Sequence, residues 1–159
     1  MRTDDVILKA VDDAFGIVQR PRKFTVEDGD PECMDHDRLL HSRTPETLSF
    51  EDVGLGYSPL IECLPEGIAY FFPALARFAL KDGPEFETFP FTLSLRLISD
   101  GAANDFLAYC SNSQRHAVHS LFSYIKENRA EQIGDIWCGE EISECVTLWG
   151  KSDWQALER

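Results

Sequence analysis

The sequence has no closely paired cysteines. Cys33, Cys63, Cys110, Cys138 and Cys145 are odd in number and scattered along the chain, which argues against a disulfide framework and fits a reducing compartment. Met1-Arg2-Thr3-Asp4-Asp5 is not a basic region leading into an apolar one, so a secretory signal is not expected. The most apolar stretch, Ile68 to Leu80, is too short to cross a bilayer and contains Arg77. Positive charge is scarce: 15 Lys and Arg face 28 Asp and Glu, a net charge of −13. Such a field repels nucleic acid and anionic membranes, and it attracts a basic protein or simply keeps the chain in solution. Internal repeats and low-complexity tracts are also absent. Together these absences place the expected address in the cytoplasm.

What is present is core material. A 43% hydrophobic chain of 159 residues with 11 Phe and 3 Trp can bury one sizeable core. The expectation is a single domain over 1–159, with an irregular connection at 19–32 and a frayed tail at 151–159. The fold class is mainly α, a compact arrangement of about five helices.

The periodicity supports this in several places. Ile7, Val11, Ala14, Phe15 and Val18 form one helical stripe behind Thr3 and Asp4, which can cap it. Residues 33–41 read as a short polar segment of about one helical turn. Thr44-Pro45-Glu46 offers a cap followed by proline, and Ser49-Phe50-Glu51-Asp52 offers a second start signal. From Pro65 to Lys81 the apolar spacing is helical, Gly83 follows, and Pro73 predicts a kink or two abutting helices. Ser111 with Gln114 is a capping box, and Ile142, Cys145, Val146 and Trp149 share a face ended by Gly150.

Residues 89–97 are ambiguous. Phe89, Phe91, Leu93, Leu95 and Leu97 alternate as in a half-buried strand. The same segment also makes a helical face through Phe86, Phe89, Leu93 and Leu97, and no second alternating segment offers a pairing partner. Helix is the preferred reading.

Residues that carry chemistry are few. Cys33 and His36 have the spacing of a zinc-binding pair, with His41 or Cys63 as a further ligand. The alternative is an acidic turn with an incidental cysteine, since no Cys-x2-Cys knuckle accompanies them. His36 between Asp35 and Asp37 could act as a general base, but no nucleophile is legible beside it. Gly54-Leu55-Gly56-Tyr57-Ser58-Pro59 fails both the dinucleotide fingerprint and the hydrolase elbow, for Pro59 and Leu60 stand where glycines are needed. His116 and His119 lack the acidic residue of a zincin helix, so no catalytic residue can be named.

Three stretches point further: Glu32-Cys33-Met34-Asp35-His36-Asp37, Thr44-Pro45-Glu46-Thr47-Leu48-Ser49, and Leu64-Pro65-Glu66-Gly67-Ile68-Ala69-Tyr70-Phe71-Phe72-Pro73-Ala74-Leu75. With Ser111 to Arg115 and Leu148-Trp149, this pattern resembles a bacterial family of small acidic proteins classed as a domain of unknown function. The resemblance implies a bacterial, cytosolic, one-domain helical protein and brings no activity with it.

Three expectations follow. The first is a non-catalytic protein-binding module, an immunity or inhibitor protein capping a basic toxin or effector. Its contact residues would be Glu27, Asp28, Asp30, Glu32, Asp35 and Asp37, the densest acidic run that reads as exposed. The second is a zinc-binding protein or metal-dependent enzyme built on Cys33, His36 and His41. The third is a subunit of a larger assembly, joined through an apolar patch around Phe86, Phe89 and Phe91.

Overall fold

Thr3 opens the first helix by accepting a hydrogen bond from the Val6 amide at 3.4 Å, and Asp4 and Asp5 suit the positive end of its dipole. This helix, α1 (Asp4–Phe15), buries Ile7, Val11 and Phe15 and stops short of Val18. The computed structural model describes residues 3–26, 29–54, 58–129 and 139–151. Glu27, Asp28, Cys138, Trp154 and the tail beyond 151 lie outside the described residues.

The described residues contain eight α-helices, three more than anticipated, and no strand. The additional helices are short or lay in segments with weak periodicity. Pro31 belongs to a helix start rather than to an irregular connection: Asp30 caps the Glu32 amide at 2.8 Å and Pro31 follows at the first turn. The result is α2 (Pro31–His41), 11 residues long, where about a single turn was expected. The connection therefore ends at Asp30, not at residue 32.

Thr44-Pro45-Glu46 does not start a helix. The Thr47 hydroxyl accepts from the Thr44 amide at 2.7 Å, and the Leu48 amide reaches the Thr44 carbonyl at 2.9 Å, closing one turn. The helix starts at the second signal as α3 (Phe50–Val53), where Asp52 reaches back to the Ser49 amide at 2.9 Å.

The most extensively buried element among the described residues is α4 (Pro65–Leu80), a single helix despite Pro73, and Lys81 rather than Gly83 closes it. It buries residues on all sides, Ile68, Phe71, Phe72 and Leu75 among them, as a central helix must. The ambiguous segment is helical, α5 (Phe89–Ile98). Phe89, Leu93 and Leu97 are fully buried on one helical face while Leu95 is 45% exposed. The i, i+4 face therefore won over the alternation, and Pro90 in the first turn suits a helix start.

α6 (Asp105–Tyr109), α7 (Asn112–Asn128) and α8 (Gly139–Trp149) complete the order. The Ser111 capping box forms as expected: its hydroxyl accepts from the Gln114 amide at 3.2 Å, and the Gln114 side chain accepts from the Ser111 amide at 3.0 Å. Helices α1, α5 and α6 pack on α4; α7 packs on α1, and α8 on α5 and α7. Phe15, Phe72, Phe106 and Trp149 link these layers, with successive ring centroids 4.6, 5.8 and 5.6 Å apart. Phe86 and Phe89 belong to the core, whereas Phe91 is half-buried.

Candidate functional site

The acidic segment is a helix with two differently employed sides. On the inner side Cys33 and Leu40 are buried. Asp37 also turns inward, and its Oδ1 accepts from the amides of Phe24 at 2.9 Å and Thr25 at 3.2 Å. Those amides need acceptors because Phe24 and Thr25 are buried. The Thr25 hydroxyl donates to the Cys33 carbonyl at 3.1 Å.

Residues 24–26 lie antiparallel to residues 62–64 through an isolated bridge between Thr25 and Cys63. The Val26 amide donates to the Glu62 carbonyl at 3.2 Å, and the Leu64 amide donates to the Phe24 carbonyl at 2.7 Å. Gly67 lies against this bridge: a Cβ there would sit 2.7 Å from the Cys63 sulfur.

Arg20 binds the far end of α2. Its guanidinium donates to the carbonyls of His41 and Arg43 and to the Tyr70 hydroxyl, and lies over the Phe24 and Tyr70 rings.

Of the six acidic residues expected to make contact, Glu27 and Asp28 fall outside the described residues. Asp30 is the helix cap and Asp37 an internal acceptor, so neither is a freely presented charge. Glu32 and Asp35 are exposed, with Asp35 3.3 Å from Arg38 across a solvated pair. Glu32 and Asp35 are thus presented from a helix.

The residues proposed as metal ligands diverge. His36 Nδ1 lies 2.7 Å from Glu62 Oε2, His41 Nε2 lies 3.3 Å from Asp37 Oδ2, and the Cys33 thiol is buried. Among the described residues no three such groups converge on one point. Burial pushes the Cys63 thiol up to about 12; Arg96 pulls it down, and Glu66, Asp105 and Asp37 reinforce the rise. Cys63 is thus a protonated thiol at neutral pH, unsuited to nucleophilic attack. Burial likewise raises the thiols of Cys110 and Cys145.

Two structural partners carried no local signal in the sequence. Glu62 reaches His36 from 26 positions away. Arg96 is only 7% exposed and donates to the Leu60 and Cys63 carbonyls, at 3.0 Å each, while gripping Asp105 with two hydrogen bonds. A cleft of about 470 Å³ opens beside α2, lined in part by Thr25, Val26, Cys33, Met34 and Asp37.

Compared with known proteins, the chain matches no family model, no curated protein and no solved structure. No helix among the described residues is long and apolar enough to cross a membrane.

Proposed function

We propose that this chain is a non-catalytic protein-binding module whose acidic surface captures a basic protein, as an immunity or inhibitor domain would do in the cytoplasm. The observation that carries the reading is the acidic excess of the exposed surface. Arg96 and Arg115 are buried, and Arg43 and Arg129 are half-buried. Arg43 is tied to Asp52, Arg115 to the Leu107 carbonyl, and Arg129 to Asp4 and Asp82. Meanwhile Glu32, Asp35, Glu46, Glu51, Glu66, Glu85, Glu87, Glu140 and Glu144 are exposed. Among the described residues 17 Asp and Glu but 9 Lys and Arg are exposed, so the outer surface carries the acidic excess of the composition. A surface of one sign speeds encounter with the opposite sign and suppresses other partners. The resemblance to a bacterial family of small acidic proteins accords with this reading without naming a partner.

The test is capture from host lysate at low salt followed by a salt step. The reading expects one basic protein released in stoichiometric amount. Retention that is indifferent to salt, or no retained protein, contradicts it.

A second reading draws on one specific contact. A carboxylate accepting from Nδ1–H fixes the imidazole tautomer and leaves the Nε2 lone pair to face a metal, the usual arrangement of a metal-binding histidine. His36 with Glu62 has that geometry. Zinc would then be held from His36 Nε2, although Cys33 and His41 do not converge on it among the described residues. Equilibrium dialysis decides this: one zinc per chain, lost in His36→Ala, supports it, and no uptake by the wild type retires it.

A further inference from the structure

We draw no further inference here: the strongest candidate, the cleft of about 470 Å³ beside α2 whose lining includes the exposed Val26 and Met34 and the buried Cys33, carries charges of both signs in Lys23, Arg38 and Asp37, and nothing in the structure shows what covers it.

Discussion

At the scale of single residues, carboxylates that look equivalent in the sequence do different work. Asp35 and Asp37 flank His36, yet Asp35 is 71% exposed in a solvated pair with Arg38, whereas Asp37 accepts two amides from Phe24 and Thr25. Exposed ion pairs contribute little, while a buried donor left without its acceptor costs far more. Asp37→Ala should therefore destabilise the fold by about 1–3 kcal/mol, and Asp35→Ala by no more than about 0.5 kcal/mol, in urea unfolding. Equal losses would show that Asp37 does not organise the 24–26 segment. None of this was legible beforehand: the spacing of Asp35, His36 and Asp37 says only that adjacent residues point apart, not which one meets a buried amide 12 or 13 positions upstream.

At the scale of elements, local rules succeeded where chemistry is local. The Ser111 box, the α1 stripe and the α8 face are all set by residues within a few positions of each other, and they form as the periodicity implies. Proline was harder to read. Pro31 starts a helix, Pro45 sits in a closed turn, and Pro73 lies within a continuous helix. One residue type gave three outcomes, decided by neighbouring hydroxyls and by burial that no short window contains. The same holds for residues 89–97, where only the packing of Phe89, Leu93 and Leu97 separates helix from strand.

Gly67 gives this scale its prediction. Alanine there gains about 1 kcal/mol in helix propensity. Its Cβ, however, would lie 2.7 Å from the Cys63 sulfur and 3.1 Å from the Phe24 ring. Because the site joins α4 to the 24–26 and 62–64 pairing, the clash should win. Gly67→Ala is expected to lose about 1–3 kcal/mol in net stability. Adding Cys63→Ala should recover part of that, so the double variant loses less than the sum of the singles in denaturant titration. Strict additivity would mean that the sulfur is not what Gly67 accommodates.

At the scale of the whole molecule, the distribution of charge joins stability to function. Burial pushes the Asp4 carboxyl up, but hydrogen bonds from Tyr124 and Arg129, with the Arg129 charge, hold it below its ordinary 3.8. Asp52 is held low in the same way by Arg43 and Ser49, again against the upward push of burial. Since these folded-state values lie below the unfolded ones, the stabilisation is complete above about pH 4 and fades as pH falls through the folded values. Arg129→Met should therefore cost about 1–2 kcal/mol at neutral pH, and its difference from wild type should shrink in acid as Asp4 becomes protonated. A difference that persists unchanged at low pH would assign the loss to packing rather than to the charge.

On the exterior of the described residues carboxylates outnumber cations about two to one. The central claim is that this acidic exterior recruits a basic partner, and the rate of association against ionic strength tests it most directly. With the captured partner, wild type should associate roughly tenfold or more slowly when salt rises from low to high, the mark of electrostatic steering. Glu32→Lys with Asp35→Lys should associate more slowly at low salt and show a flatter dependence. A rate that ignores both salt and charge reversal would contradict the account.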